Sequence, residues 1–245
     1  MEAVNGNFLL SIGATHPWNI AGVGGDATVA RDYGLRHAIA LVGVTAQDER
    51  GFRGAFALEA AAVRAQLESL PAQVIATHVG LLFDAANVYE VARFLRRTTG
   101  APLVIDPVFA DTFGSQFVDE RTFRAFCDAM LPLAAILTPN LAEASRLLQR
   151  EINNVDAMVA AARELQSRGP SAVLVKGGHL AGDPVDVLAT RESVEFFSDV
   201  RLPNEMRGTG DTLAATLACE LALGKSLLEA VSGARDYVRA KIRLS

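Results

Sequence analysis

A short glycine-bearing segment near the end of the chain carries the clearest chemical signal. Gly208-Thr209-Gly210-Asp211 precedes a run of small apolar residues, TLAATLACELAL, which predicts a helix over 210–223. The start of a helix presents unpaired N–H groups and a partial positive charge, and glycines let a phosphate approach that backbone closely. An aspartate at this turn can accept the proton of a hydroxyl group that attacks a phosphoryl group. The segment therefore predicts phosphoryl transfer, with Asp211 as the base and the glycines in an anion site.

The same segment also fits a helix start without any chemistry. Thr209 or Asp211 could simply cap the first turn, as Thr and Asp commonly do. The segment is not a Walker A loop, and it is not the GxGxxG turn that follows the first strand of a dinucleotide-binding unit. The rest of the chain has to decide between these two interpretations.

The remaining segments predict an alternation of strands and helices. Strands are predicted at apolar runs, namely 8–14, 38–46, 74–78, 102–108, 134–140 and 171–178, with an antiparallel pair at 186–190 and 194–198. Helical patterns cover 25–34, 56–69, 85–98, 121–131, 141–149, 155–168, 210–223 and 227–243. The strands are continuously apolar, which favours a mostly parallel sheet covered by helices on both faces. We therefore expect an α/β protein, with residues 1–245 forming one domain and the ligand site beyond the carboxyl ends of the strands.

Composition narrows the class of protein further. Half of the 245 residues are hydrophobic, and the net charge of −5 comes from acids and bases mixed along the chain. Nucleic-acid binding needs clustered Lys and Arg, so we expect no nucleic-acid partner. Cys127 and Cys219 lie in apolar helical contexts, which predicts buried thiols rather than a disulfide framework or a zinc site. The start of the chain does not have the pattern of a secretion signal, and no apolar run reaches the roughly 18–20 residues that span a bilayer. We therefore expect a soluble, cytoplasmic protein with no membrane partner.

Several segments, taken in order along the chain, carry a family resemblance. They are GATHPWNIAGVGGDATVARDYG (13–34), ALVGVTAQDERGF (40–52), HVGLL (78–82), LTPNLAEASRLL (137–148), VKGGH (175–179) and GTGDT (208–212). Together they resemble the hydroxymethylpyrimidine/phosphomethylpyrimidine kinases of thiamin biosynthesis, which belong to the ribokinase-like superfamily. The resemblance implies a three-layer α/β/α fold with a central, mostly parallel sheet. It also implies ATP and Mg²⁺ as cofactors and a small-molecule alcohol as substrate.

The resemblance also assigns roles to individual residues. Asp26 and Gln47 fall where the family hydrogen-bonds the pyrimidine ring and its exocyclic groups, and Gly13 and Leu81 fall beside the same substrate. On the nucleotide side, Asn140 and Glu143 fall where the phosphates and Mg²⁺ are organised through water, and Asp106 shares that role. Lys176 and Thr209 fall near the nucleotide phosphates, and Gly208, Gly210, Arg207 and Asp211 form the catalytic turn. Without the family context, Asn140 would be only a Pro-Asn turn and Lys176 a solvated strand end.

Three positions depart from the family pattern. Asp211 stands where the pyrimidine kinases usually have Cys, and Asp is the residue of sugar, nucleoside and most pyridoxal kinases of the superfamily. Trp18-Asn19-Ile20 replaces Ser-Gly-Gly, so the substrate loop is bulkier and more apolar, and Trp18 could stack on a flat ring. Arg207 stands where the family often has His, and its fixed charge favours a phosphate.

These departures leave alternatives to the pyrimidine kinase open. A pyridoxal-type or other small-alcohol kinase fits Asp211 well, while Gln47 and Asp26 suit an aminopyrimidine. A catalytically silent ligand-binding homologue is the third alternative, and the intact Asp211, the glycine turn and Lys176 argue against it. We expect a homodimer, because such folds often pair through a sheet edge or its helices.

Overall fold

A nine-stranded sheet forms the centre of the protein. The structure, a computed structural model, describes residues 7–48, 51–70, 73–98, 100–111 and 114–245, so Glu49 and Arg50 of the 40–52 segment lie outside the described residues. The strands are β1 (Phe8–Thr15), β2 (Arg36–Asp48), β3 (Gly51–Ala57), β4 (Val74–Val79), β5 (Leu103–Ile105), β6 (Ile136–Leu137), β7 (Ala172–Val175), β8 (Val185–Ala189) and β9 (Val194–Ser198). Their order across the sheet is β3-β2-β1-β4-β5-β6-β7-β8-β9.

The middle of this sheet is parallel and its edges are antiparallel. The run from β2 through β1, β4, β5 and β6 to β7 is parallel, whereas β3 pairs antiparallel with β2, and β8 and β9 continue antiparallel from β7. The predicted mostly parallel sheet is thus confirmed, including the antiparallel pair at the far edge.

Helices cover both faces of the sheet. They are α1 (Gly22–Asp32), α2 (Ala60–Glu68), α3 (Ala85–Leu95), α4 (Glu120–Ala129), α5 (Leu141–Leu148), α6 (Val155–Ser167), α7 (Thr209–Ala222) and α8 (Leu227–Leu244), with a 3₁₀ turn at Leu131–Leu133. Neighbouring residues of β1 show the division, because Leu10 packs among residues of α2 to α6 and Leu9 packs among residues of α1, α7 and α8. Successive side chains of a strand point to opposite faces, so both faces are buried. This is the expected three-layer α/β/α arrangement.

One predicted helix is wrong at its start. The pattern at 56–69 predicted a single helix, but Phe56 and Ala57 end β3, and α2 begins only at Ala60. The spacing of apolar residues in LEAAAVRAQLESL does form α2. The preceding GFRGAFA pairs with β2 as an exposed edge strand, where its short, glycine-containing sequence gives no strand periodicity to recognise. The other predicted elements overlap the observed ones, with ends that differ by a few residues.

The carboxyl ends of the central strands continue as hydrogen-bonded segments and bring distant residues together. The N–H of Gly80 donates to Ile12 O at 3.0 Å, and the N–H of Asp106 donates to Val79 O at 2.8 Å. Beyond β6 and β7, the N–H of Lys176 donates to Pro139 O at 2.8 Å. These bonds extend the parallel ladder past the strand ends and fix the backbone of the polar segments there. Within the described part of the chain, no helix is long and apolar enough to cross a bilayer.

Candidate active site

The glycine turn at the start of α7 packs against the loop that follows β1. Gly208 is the N-cap residue and has a φ of +76°, a left-handed conformation that favours glycine. A Cβ atom on Gly208 would lie 2.5 Å from Ile20 O, so a side chain there would collide with the loop backbone. Because the N-cap is a glycine and no side chain caps the helix, neither Thr209 nor Asp211 acts as the N-cap. The interpretation of this segment as an ordinary side-chain-capped helix start is therefore wrong.

Asp211 lies in the first turn of α7, where several charged groups converge. The backbone N–H of Gly22 lies close enough to its carboxylate to favour the ionised form. Burial and the carboxylates of Asp106 and Asp26 raise the pKa of Asp211 to about 6, although His78 and Gly22 act in the opposite direction. A carboxyl group with this pKa is mostly ionised at pH 7 and still binds a proton readily, which is what a general base requires.

An ion pair lies directly beside the glycine turn. Lys176 Nζ donates to Asp106 Oδ1 at 2.7 Å, and the hydroxyl of Thr138 donates to the same oxygen at 2.9 Å. A Cβ atom on Gly210 would lie 3.0 Å from Lys176 Nζ and 3.3 Å from Asp106 Oδ2. Gly210 therefore lets the backbone of α7 approach this pair more closely than a residue with a side chain could. Burial disfavours the charge of Lys176, but Asp106 and Glu143 outweigh it and raise the pKa of Lys176, so the residue keeps its positive charge.

Asn140 and Glu143 form a reciprocal cap at the start of α5. The Asn140 side chain accepts from the N–H of Glu143 at 2.9 Å, and the Glu143 carboxylate accepts from the N–H of Asn140 at 2.7 Å. Burial raises the pKa of Glu143, and Asp106 adds to this effect, while Lys176 acts against it. Both residues also line a cavity of about 150 Å³ together with Phe109, Ala110, Asp111, Gln116, Ala142 and Arg146. The two residues thus cap α5, and Glu143 also interacts electrostatically with Lys176 and Asp106.

Asp26 is held by a residue that sequence reasoning missed. His78, at the end of β4, donates from Nδ1 to Asp26 Oδ2 at 2.7 Å, and both side chains are buried. Within the described residues, Asp26 Oδ1 and His78 Nε2 have no hydrogen-bond partner. A Cβ atom on Gly80 would lie 3.7 Å from Asp211 Oδ1 and 4.0 Å from His78 Cε1. The buried pair of Asp26 and His78 therefore lies on the other side of the Gly80 backbone from Asp211.

The other predicted substrate residues lie on neighbouring strand ends. Gly13 is near the end of β1, where a Cβ atom would lie 3.7 Å from the backbone nitrogen of Gly80. Leu81 is buried just beyond β4, and Gln47 is half-buried at the end of β2, beside a bulge. The backbone of Gln47 belongs to the β2–β3 ladder, and its side chain makes no hydrogen bond within the described part of the chain.

The loop between β1 and α1 forms an apolar rim. Trp18 and Ile20 are 51% and 45% exposed, whereas His16 is buried. Burial lowers the pKa of His16, and the charge of Arg207 lowers it further, so His16 is neutral at pH 7 and Arg207 lies within electrostatic reach of the loop. Arg207 itself is exposed at the rim rather than packed into the cluster around Asp211.

The structure thus gathers Asp211, Gly210, Asp106 and Lys176 into one cluster, with Glu143 beside it and Asp26 behind it. Gln47 and Arg207 lie on elements at its margin. Four contributing residues were not predicted, namely Gly22, His78, Gly80 and Thr138. His78 and Gly80 belong to HVGLL, and Thr138 belongs to LTPN, so the signal for them was membership of segments already recognised by resemblance.

Fold and cluster together define a class of protein. The ribokinase-like small-molecule kinases have this arrangement. They combine a three-layer sandwich, built on a mostly parallel sheet, with a glycine turn that places an aspartate at a helix start. Comparisons with known proteins refine this class. The sequence profile of the phosphomethylpyrimidine kinase family matches residues 18–245, and the chain belongs to that family.

Individual relatives agree with this assignment. The chain is 35% identical to the hydroxymethylpyrimidine/phosphomethylpyrimidine kinase of Streptomyces coelicolor, over 96% of this chain and 88% of that protein. It is also 35% identical to the protein of the same name from Rhizobium meliloti, over 95% and 89% of the two chains. Among solved structures, the phosphomethylpyrimidine kinase of Clostridium difficile superposes with a TM-score of 0.84 at 27% identity, covering 96% of this chain and 99% of that one. An ADP complex of Bacillus subtilis pyridoxal kinase superposes with a TM-score of 0.86 at 27% identity, covering 95% and 90%.

Proposed function

We propose that this protein uses ATP to phosphorylate the hydroxyl group of a hydroxymethylpyrimidine, and also its monophosphate, in thiamin biosynthesis or salvage, with Asp211 as the general base. The observation that carries the proposal is the position of Asp211 in the first turn of α7, next to Gly210 and the ion pair of Lys176 and Asp106. The names of the family and of its relatives supply the substrate.

Asp211 accepts the proton of the substrate hydroxyl as this oxygen attacks the terminal phosphorus of the nucleotide. Its pKa of about 6 leaves the carboxylate ionised at neutral pH. The backbones of Gly22 and Gly80 lie beside the carboxylate, and a base that is already placed next to the hydroxyl needs little rearrangement to take the proton.

The glycine turn and Lys176 serve the phosphates. The N–H groups of Gly208, Thr209 and Gly210 belong to a helix start, where unpaired donors and the helix dipole favour an anion. Lys176 adds a fixed positive charge to the same place. The negative charge of the transferring phosphoryl group is spread over its oxygens. Its transfer therefore depends on nearby positive charge and on positioning more than on covalent catalysis. Arg207, at the rim of the turn, supplies a second positive charge.

Two carboxylates fit Mg²⁺ held through water. Asp106 binds Lys176 and Thr138 through Oδ1 and turns Oδ2 toward Gly210, and Glu143 uses only Oε2 for its backbone contact. Each residue thus keeps one oxygen for a hydrated cation, and oxygen is the ligand that Mg²⁺ prefers. No group of three or more His, Cys, Asp or Glu among the described residues is arranged to hold a metal directly. Bound Mg²⁺ would neutralise charge on the phosphates.

Gln47, Asp26, Gly13 and Leu81 form the substrate side. The amide of Gln47, without a hydrogen-bond partner in the described part of the chain, can pair with ring nitrogen and amino groups of a pyrimidine. Asp26 Oδ1 can accept from an amino group, because Oδ2 alone binds His78. Gly13 and Leu81 leave room for the ring and cover it with apolar surface.

Pyridoxal phosphorylation is the second candidate. It is favoured by Asp211 in place of the family Cys and by the exposed apolar side chains of Trp18 and Ile20 in the substrate loop. The likeness to the pyridoxal kinase of Bacillus subtilis matches this alternative as a related family. A catalytically silent homologue is disfavoured, because Asp211, the glycine turn and Lys176 are all in place.

We further propose that residues 1–245 act as one catalytic unit, that two copies form a homodimer, and that the enzyme works in the cytoplasm. The single continuous sheet supports the first point. The exposed edge strand β3, on which Phe56 is 62% exposed, supports the second.

The proposed activity is tested by incubating the protein with Mg²⁺-ATP and each of three acceptors: the alcohols hydroxymethylpyrimidine and pyridoxal, and hydroxymethylpyrimidine monophosphate, which accepts on a phosphate oxygen. Mass spectrometry of the products and kcat/KM for each acceptor distinguish the candidates. We expect the highest kcat/KM for hydroxymethylpyrimidine and formation of its diphosphate from the monophosphate. A higher kcat/KM for pyridoxal would favour the second candidate, and no ATP consumption with any of the three acceptors would contradict the proposal.

A further inference from the structure

The turn that follows β7 is held by a single arginine from a distant segment. The turn comprises residues 177–183 and begins immediately after Lys176. Arg201, which follows β9, lies against it. This feature is outside the cluster around Asp211, and the inference drawn from it rests on the proposed use of ATP.

Arg201 binds three carbonyl groups of the turn with one side chain. Its Nε donates to Gly182 O at 2.7 Å, and its two terminal nitrogens donate to Gly178 O at 2.9 Å and to Leu180 O at 2.7 Å. The N–H of Arg201 also donates to Asp183 Oδ1 at 2.9 Å. Four hydrogen bonds therefore connect Arg201 to the turn, three of them from the rigid, planar guanidinium group.

These bonds fix the direction of the peptide groups in the turn. In a trans peptide unit the carbonyl and the following N–H point in opposite directions, and the described residues contain no cis peptide bond. Because Arg201 donates hydrogen bonds to the carbonyls of Gly178, Leu180 and Gly182, the N–H groups that follow these carbonyls face away from it. These are the N–H groups of His179, Ala181 and Asp183. None of these three N–H groups donates to a described residue, so they are available to a ligand.

A second buried ion pair fixes the base of the turn, directly after Lys176. The N–H of Gly177 donates to the buried carboxylate of Asp186 at 2.8 Å, and Asp186 also pairs with the buried guanidinium of Arg235. A Cβ atom on Gly177 would lie 1.9 Å from Val185 O, so the backbones of Gly177 and Val185 pack closely here. A Cβ atom on Gly178, by contrast, would meet nothing within 4 Å, so the turn opens onto free space directly after Lys176.

We infer that Arg201 is a positioning residue for the nucleotide. By donating hydrogen bonds to the carbonyls of the 177–183 turn, it orients the backbone N–H groups of the turn so that they can bind ATP beside Lys176. Arg201 contacts neither the acceptor alcohol nor the reacting atoms. Its loss should therefore weaken nucleotide binding and leave the chemical step and the binding of the alcohol largely unchanged.

The test compares Arg201→Ala with the wild-type protein in nucleotide affinity, kinetics and thermal stability. Calorimetric titration with the non-hydrolysable analogue AMP-PCP and Mg²⁺ measures Kd, and steady-state kinetics separate KM for ATP from kcat and from KM for the alcohol. We expect Kd for AMP-PCP and KM for ATP to rise about fivefold, which corresponds to about 1 kcal/mol. We expect kcat and KM for the alcohol to change less than about twofold, because pre-organisation of the turn affects only nucleotide binding.

Two further variants control this measurement. Arg191→Ala removes another exposed arginine, in the turn between β8 and β9, whose side chain has no hydrogen bond or ion pair among the described residues. It should leave Kd for AMP-PCP, both KM values and kcat unchanged. Arg201→Lys keeps the charge but cannot bind three carbonyls at once, so its Kd should lie between those of the wild type and Arg201→Ala. An unchanged Kd in Arg201→Ala, or an equal rise for nucleotide and alcohol, would overturn the role of Arg201 alone. Failure of the wild-type protein to bind AMP-PCP would overturn the proposed use of ATP, and this inference with it.

Discussion

His78 and Asp26 form a buried ion pair in which Nδ1 lies 2.7 Å from Oδ2, and the two side chains are 2% and 0% exposed. The pair connects the end of β4 to α1 immediately behind Asp211. Burial by itself would lower the pKa of His78, but the carboxylates of Asp26, Asp211 and Asp106 raise it to about 9. The imidazole is therefore positively charged at pH 7 and offsets part of the negative charge of the carboxylates around Asp211.

This pair makes stability depend on pH in a defined direction. The folded-state pKa of His78 lies above its ordinary value of 6.5, so its contribution is fully present below about pH 6.5 and is lost as the pH rises through about 9. We expect the free energy of unfolding of the wild-type protein to fall by on the order of 2–3 kcal/mol between pH 6 and pH 9.5 from this group. Urea unfolding at the two pH values measures the change.

The control for this prediction is a double variant, Asp26→Asn with His78→Gln, which keeps the shapes and removes both charges. Every other titrating group is shared, so the difference in pH dependence between the two proteins isolates the pair. The same loss of stability in both proteins would show that the pair does not have the raised pKa assigned to it.

Gln47 should determine recognition of the pyrimidine. Gln47→Leu leaves a ring nitrogen or amino group of the substrate without its hydrogen bond in a closed site, which costs on the order of 1–3 kcal/mol. We expect KM for hydroxymethylpyrimidine to rise about 5- to 150-fold and KM for ATP to change less than about twofold. Gln73→Leu, an exposed glutamine just before β4, is the matched control. If KM for hydroxymethylpyrimidine stays at the wild-type value in both variants, the pyrimidine assignment is wrong.

Arg207 should act on the transferring phosphoryl group more than on ground-state ATP. Its guanidinium can bind phosphate oxygens in a bidentate way, and its charge already reaches His16 across the glycine turn. We expect Arg207→Ala to lower kcat about tenfold or more, while Kd for AMP-PCP changes less than about twofold. Arg243→Ala, an exposed arginine near the end of α8, controls for a general loss of charge. A loss in kcat/KM below about threefold, under about 1 kcal/mol, would place Arg207 among solvent-facing side chains without a catalytic role.

Much of the fold could be predicted from local patterns. The continuous apolar strands and the helical spacing between them predicted the mostly parallel sheet and its two helical layers, because both faces of such a sheet need apolar cover. Strand β3 was missed, since GFRGAFA contains two glycines and lies at an exposed edge, so its pairing with β2 determines its conformation more than its own sequence does.

The site was predictable where its residues are contiguous and less so where they are not. The glycine turn and Asp211 lie in one segment, so their spacing raised phosphoryl transfer as one of two interpretations, and the other segments decided between them. The hydrogen bond between Lys176 and Asp106 joins residues 70 positions apart, and that between His78 and Asp26 joins residues 52 positions apart. Resemblance gave Lys176, Asp106 and Asp26 separate roles, but the pairings follow only from the order of β1, β4, β5 and β7 in the sheet. The role of His78 was missed for that reason.

The most direct test of the account is the rate of ATP-dependent phosphorylation of hydroxymethylpyrimidine by wild-type protein and by Asp211→Asn. Asparagine keeps the size of the side chain and cannot accept the proton of the hydroxyl group. We expect kcat to fall by about 10²- to 10⁴-fold, which is the usual contribution of a general base, while Kd for AMP-PCP and the thermal midpoint stay close to those of the wild type. A variant that retains the wild-type kcat would contradict the account, because the GTGD turn would then start a helix without supplying the catalytic base.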